Sequence, residues 1–191
     1  MRVDDFRGKG VIVTGALGGI GMATARLFAQ AGARLVLADL RAAGSDVIAD
    51  LIAAGAEAVE SFACDMGDEG SVASLIEKGR MNSGNIDVIV SVAGAMLYRP
   101  VAEMSGDDWR RMLAINLVGP ALLTAAGLRH MKPGGAIVNV ASVHARQTTP
   151  EVAGYAAAKA GMCSMSRTAA IGGKPLGIRV NTVLPGAIDT K

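Results

Sequence analysis

A tyrosine and a lysine stand at the two ends of YAAAK, Tyr155 to Lys159, in a neighbourhood otherwise built from Ala, Gly and Met. Four residues apart on a helix, a phenol and an ammonium share one face and can act on one small object, while the alanines keep the helix slim. A tyrosine at a core edge beside a snorkelling lysine produces the same pattern when it occurs alone. A second stretch, TGALGGIG from Thr14 to Gly21, could hold an anion. Gly15, Gly19 and Gly21 remove side chains that would keep a phosphate from backbone N–H groups and a helix dipole; Leu17 and Ile20 lie in the same turn. Eighteen residues beyond Gly21 comes Asp39, a carboxylate at the end of an apolar run that could accept from sugar hydroxyls. A solvated carboxylate opening a loop is the other reading of Asp39.

These groups need elements to position them. Short β-branched runs at 11–14, 35–39, 58–64, 86–92, 136–142 and 178–184 read as strands. Between the first two, Ile20, Ala23, Leu27, Phe28 and Ala31 recur at helical spacing; Val47, Ile48, Leu51 and Ile52 do so in the next interval, and Val72, Leu75 and Ile76 in a third. Ser105 and Asp108 form an N-cap pair opening a long helix through Trp109, Met112 and Leu113. Strict alternation of strand and helix, with nearly continuous apolar strands, predicts a parallel sheet covered on both faces and joined by right-handed crossovers. This is a doubly wound α/β, Rossmann-like domain whose ligand cleft lies at the carboxyl ends of the strands. TGALGGIG then falls between a strand and a helix, the context a dinucleotide fingerprint requires. In that context Asp39 faces the adenosine ribose 2′-OH and repels a 2′-phosphate, which favours NAD over NADP; Arg41 is the group that could receive such a phosphate.

Composition excludes several other classes. The 191 residues are 51% hydrophobic and 3% aromatic, enough for one domain, 1–191, with an aliphatic core. The only two cysteines, Cys64 and Cys163, are far apart and lack CxxC or Cys/His partners, which suits a reducing cytoplasm and argues against zinc; no metal site is expected. A net charge of +2 without a Lys/Arg run suggests neither nucleic acid nor a membrane surface as partner. MRVDDFRGKG has no apolar stretch behind it and does not read as a signal peptide. The longest apolar run, 114–128, contains Asn116, Gly119 and Pro120 and reads as a buried or interface helix.

Five motifs occur in order: TGxxxGIG at Thr14, Asn116 within the long helix, Ser142 at the fifth strand's end, YxxxK at Tyr155, and RVNxVxPG from Arg179 to Gly186. Together they resemble the short-chain dehydrogenase/reductase family, from about Lys9 to Thr190. The resemblance implies strand order 3-2-1-4-5-6 and hydride transfer between NAD(H) and a carbonyl or secondary alcohol. It implies Tyr155 as acid/base, Lys159 lowering the phenol's pKa and meeting the nicotinamide ribose, and Ser142 polarising the substrate oxygen. Asn116 would hold a water linking Lys159 to solvent. Asp65 and Met66 would meet the adenine, Ala93 and Gly94 the adenosine side, and Pro185, Gly186, Ile188 and Thr190 the nicotinamide. Substrate contacts would come from variable positions, among them Met96, Tyr98, His144, Arg146, Gln147 and Val152. A homodimer or homotetramer through the two long helices is expected. A nucleotide-binding or assembly protein of the same fold with little turnover is the alternative.

The sequence departs from the family in three places. SVAG, with Ser91 and Val92, replaces the usual NNAG after the fourth strand, removing side-chain hydrogen bonds that tie the central sheet together. Gly172 and Gly173 before Pro175 predict an early end to the catalytic helix. Finally, family members usually continue through a substrate lid, a helix and a seventh strand. The expectation is a chain ending at Lys191 without that segment, or the stated part of a longer one; alone, it is expected to self-associate and turn over slowly.

Overall fold

The computed structural model describes residues 6–189. Its strands are β1 (Gly10–Thr14), β2 (Arg34–Asp39), β3 (Ala58–Ala63), β4 (Val88–Ser91), β5 (Ala136–Val140) and β6 (Arg179–Val183). All adjacent pairs run parallel, in the order β3-β2-β1-β4-β5-β6. The helices are α1 (Gly19–Gln30), α2 (Ser45–Ala53), α3 (Glu69–Ser83), α4 (Gly106–Leu113), α5 (Gly119–His130) and α6 (Ala153–Gly173).

The central strands are apolar at nearly every position because both faces are covered. Val11 and Val13 of β1, Leu35 and Leu37 of β2, and Val88 and Val90 of β4 pack toward α1 and α2. Ile12, Val36 and Ile89 point the other way, into a core completed by Val72, Leu75 and Ile76 of α3 and Leu123 of α5. Two helices reach the sheet through glycine. A Cβ on Gly79 of α3 would lie 2.8 Å from Ile12, and one on Gly127 of α5 2.8 and 2.9 Å from Ile137 and Ile89.

Three details differ from the sequence reading. On α1 the buried stripe is Gly21, Ala25 and Ala29, while Leu27 is 67% exposed and Ala23 is exposed too. Small residues carry this contact because the helix approaches the β1 turn closely: a Cβ on Gly21 would stand 2.0 Å from the Gly15 carbonyl oxygen. β5 ends two residues early, at Val140, where its register with β6 runs out, and this leaves Ser142 free to turn. The long helix is divided by a π-helical segment, Ala114–Val118, between α4 and α5.

Ser105 and Asp108 form the reciprocal capping box at the start of α4. The run from α4 through α5, 25 residues, is long and apolar enough to cross a membrane. In this fold it is a core helix, with Asn116, Leu123 and Thr124 buried and α5 packed on α3 and α6. At its far end α6 stops at Gly173, tightens into a 3₁₀ turn at Lys174–Leu176, and is closed by Gly177 at φ 67°. With SVAG after β4 the strand still pairs with β1 and β5, and Thr14 Oγ1 accepts from Ala93 N at 3.3 Å. The trace of the substitution is the buried hydroxyl of Ser91, which has no partner among the described residues.

Candidate active site

The turn from β1 into α1 reverses sharply, with Gly15 at φ 63°, where an added Cβ would lie 2.7 Å from the backbone of Ala93. Gly18 precedes α1 without any side-chain cap, so the first amides of the helix, at Gly19, Ile20 and Gly21, face the cleft with their dipole uncompensated. The cleft has a volume of about 800 Å³ and is walled by this turn, by Asp39 with Leu40 and Arg41, and by the loops that leave β3 and β4. Asp65, Met66, Ala93 and Gly94 line it, as expected, so every residue assigned to the adenosine and phosphate half meets one cleft.

Some of these groups carry local duties as well. Asp39 Oδ2 accepts from Leu17 N at 2.9 Å and Oδ1 from Leu40 N at 2.8 Å. Asp65 Oδ1 accepts from Gly67 N at 2.8 Å, which shapes the loop after β3. Gly119 lets the start of α5 lie against that loop; a Cβ there would stand 2.1 Å from the Met66 carbonyl oxygen. Cys64 lines the cleft too, and burial chiefly pushes its thiol above the ordinary range.

Gly94 joins the two halves of the site. A Cβ on it would lie 2.8 Å from Asn116 Oδ1 and 3.4 Å from Lys159 Nζ. Asn116 sits in the π-helical segment, fully buried, with its amide bonded to protein: Nδ2 donates to Ala95 O at 2.8 Å and Met112 O at 3.0 Å, and Oδ1 accepts from Ala95 N at 3.1 Å. The residue braces the β4–α4 loop against the helix. The π segment turns that amide toward the loop, and such bulges often mark functional sites.

Lys159 is 2% exposed and donates to Val140 O at 2.9 Å, so its ammonium is anchored to the end of β5. Burial brings its pKa down to about 8. Nζ lies 5.7 Å from the centre of the half-buried Tyr155 ring. Ser142 Oγ accepts from His144 N at 3.2 Å, capping a short turn at Val143–Ala145, and its proton has no acceptor among the described residues. Pro185 and Gly186 flank this turn: Val143 N donates to Pro185 O at 3.0 Å, and a Cβ on Gly186 would touch Val143 at 3.9 Å. Ile188 is exposed, and Thr190 lies outside the described residues.

The substrate candidates divide. His144 meets the Tyr155 ring edge-on, with centroids 6.0 Å apart, and Met96 and Arg146 are exposed. Val152 is 1% exposed and precedes α6, so its surface is spent on packing at the start of that helix. Sequence reasoning missed a brace above the site. Arg99 pairs with Asp108 at 2.6 Å and donates its backbone N–H to Glu151 O at 2.7 Å, tying the β4–α4 loop to the segment before α6. Glu151 takes φ 68°, which is uncommon for a residue with a side chain. The Ser105 hydroxyl is the main cause holding the Asp108 carboxyl below the usual range.

Known proteins share this fold and much of this sequence. The family model described as enoyl-(acyl carrier protein) reductase matches residues 15–191. A cis-4-hydroxycyclohexanecarboxylate dehydrogenase of Sinomonas cyclohexanicum is 42% identical over 188 residues, 97% of this chain and 75% of that protein. A D-threitol dehydrogenase of Mycolicibacterium smegmatis is 39% identical over 98% of this chain and 74% of its own. A crystal structure of a short chain dehydrogenase from Mycobacterium smegmatis superposes with TM-score 0.89 at 34% identity, covering 98% of this chain and 80% of that one. A dehydrogenase/reductase from Sinorhizobium meliloti gives 0.90 at 28%, covering 97% and 75%. The parallel sheet in this order, with its glycine turn at the cleft, is the Rossmann-like fold of the oxidoreductases that the chain matches. The chain belongs to the short-chain dehydrogenase/reductase family.

Proposed function

We propose that this chain is an NAD-dependent dehydrogenase/reductase that interconverts a secondary alcohol and its ketone, with Tyr155 as the general acid/base. The observation that carries the reading is one juxtaposition. His144, in the turn after β5, donates its backbone N–H to Ser142, whose hydroxyl proton is uncommitted, and sets its ring edge-on to Tyr155, while Lys159 is fixed to Val140 O at the end of β5.

The cleft fits a dinucleotide because Gly15, Gly21 and Gly94 stand where any Cβ would strike backbone or Asn116, leaving α1's uncapped amides open to a pyrophosphate. Asp39 supports NAD over NADP, since a carboxylate accepts from ribose hydroxyls and repels a 2′-phosphate. Asp65 and Met66 would meet the adenine, and Pro185, Gly186, Ile188 and Thr190 the nicotinamide end. A nicotinamide held there supplies or accepts the hydride.

Ser142 donates to the substrate oxygen as negative charge develops on it. Tyr155 gives its proton to that oxygen in reduction and takes one from the alcohol in oxidation. A phenol of ordinary pKa about 10 is a weak base at neutral pH, and a nearby ammonium favours its ionised form. Lys159 supplies that charge, and its remaining N–H groups can serve the ribose. Asn116 holds the β4–α4 loop in place through Ala95, beside Gly94.

The relatives named for a hydroxycyclohexanecarboxylate and for D-threitol support a small polar secondary alcohol as substrate class, with His144, Met96 and Arg146 beside it. Exposed Val118 and Ile171, on the two long helices, support self-association. The test is a panel of cyclic hydroxy acids and polyols with NAD, followed by NADH absorbance. Ser142→Ala should lower kcat/KM by about 10²-fold or more on any alcohol that the parent oxidises. No turnover on any of them, in either direction, would contradict the reading.

A further inference from the structure

We infer that Asp39 is a positioning residue for the phosphate-binding turn as well as a reader of the ribose, so that one carboxylate couples the two halves of cofactor recognition. The inference rests on the reading that the cleft takes a dinucleotide. Its origin is the bond from Leu17 N to Asp39 Oδ2, 2.9 Å.

The turn between β1 and α1 has few other restraints. Gly15 requires φ 63°, Gly18 N returns to Gly15 O at 3.2 Å, and Ala16 N reaches Ala38 O at 3.2 Å. Leu17, at the crest, has only the Asp39 carboxylate as acceptor for its N–H among the described residues. Asp39 is held in turn by Leu40 N at 2.8 Å on its other oxygen, so backbone N–H groups orient both carboxylate oxygens. A carboxylate oxygen accepts two hydrogen bonds, so Oδ2 can keep Leu17 while a ribose hydroxyl donates to it. A 2′-phosphate has the opposite effect. Repulsion drives Asp39 aside, and Leu17 then loses its acceptor. Discrimination against NADP therefore includes disorder in the turn that must bind the pyrophosphate.

Two consequences separate this role from a ribose contact alone. First, deleting Asp39 harms binding even of a cofactor with no ribose hydroxyl to read. Second, Asn at 39, which keeps an acceptor for Leu17 without the charge, serves NADPH better than Ala does.

The experiment compares the parent, Asp39→Ala and Asp39→Asn. Calorimetry measures affinity for NADH, NADPH and an NADH analogue whose adenosine ribose is 2′,3′-dideoxy, and amide hydrogen exchange follows Leu17 without ligand. The expected result is faster exchange at Leu17 in the Ala variant and recovery in the Asn variant. The dideoxy analogue should bind about tenfold more weakly to Ala than to the parent, with Asn intermediate, and NADPH should prefer Asn to Ala. Equal affinity of the parent and the Ala variant for the dideoxy analogue would overturn the inference, whether or not Leu17 exchange changes. If the parent binds none of the three dinucleotides, the functional reading fails separately, and Leu17 exchange alone then decides whether the latch exists.

Discussion

Lys159 concentrates the chemistry of the site in one buried charge. A lysine ordinarily near 10.5 that titrates at about 8 in the fold costs stability while it is protonated. Below about pH 8 that cost is complete. Between about 8 and 10.5 the unfolded chain holds more protons than the folded one, so this group's contribution to stability improves as pH rises. Denaturant melts of the parent and Lys159→Met at pH 7 and at pH 10.5 should therefore show the parent gaining on the variant, by at most roughly 3 kcal/mol. A difference that is flat with pH would mean that Lys159 is solvated. In the proposed mechanism catalysis would follow the charge in the opposite sense: an ammonium to help the Tyr155 phenol is present below about 8 and lost above it.

At the scale of elements, the glycines divide into those that hold the site together and those that do not. Gly94→Ala drives a methyl within 2.8 Å of Asn116 Oδ1, and that amide cannot yield without breaking its bonds to Ala95 and Met112. The variant should lose about 1–3 kcal/mol and most of its dinucleotide affinity, as read by thermal melts with and without NADH. Gly172→Ala in α6 meets nothing within 4 Å and should stabilise by up to about 1 kcal/mol without changing binding. Equal effects from the two substitutions would refute this division. Much of the scaffold was legible in the residues. The β1 and β2 runs, the Ser105–Asp108 cap and the end of α6 before Pro175 follow from local chemistry, because strand periodicity, capping and proline act over a few residues. The buried face of α1 was not legible, since its contact is made by Gly and Ala, which carry little hydrophobic signal. Nor were the π segment around Asn116, the Val140 anchor of Lys159 or the Arg99–Asp108–Glu151 brace, all of which depend on partners distant in sequence.

Over the whole molecule, one parallel sheet brings β1, β2, β4 and β5 to a common edge, so that a cofactor lying across their ends would touch the glycine turn, Asp39 and Gly94 together. From this follows a preference for NADH over NADPH of at least about tenfold in dissociation constant, the order expected for trading a charge-assisted hydrogen bond for repulsion. Equal affinities would remove Asp39 from that role. The central claim is that Tyr155 moves the proton while the rest of the fold holds the cofactor. Its most direct measurement sets NADH binding beside alcohol oxidation in the parent and in Tyr155→Phe, which deletes one oxygen and leaves the ring against His144. The account predicts unchanged NADH affinity, within about twofold, and a loss of kcat of at least about 10²-fold. Turnover by the phenylalanine variant within tenfold of the parent would contradict it.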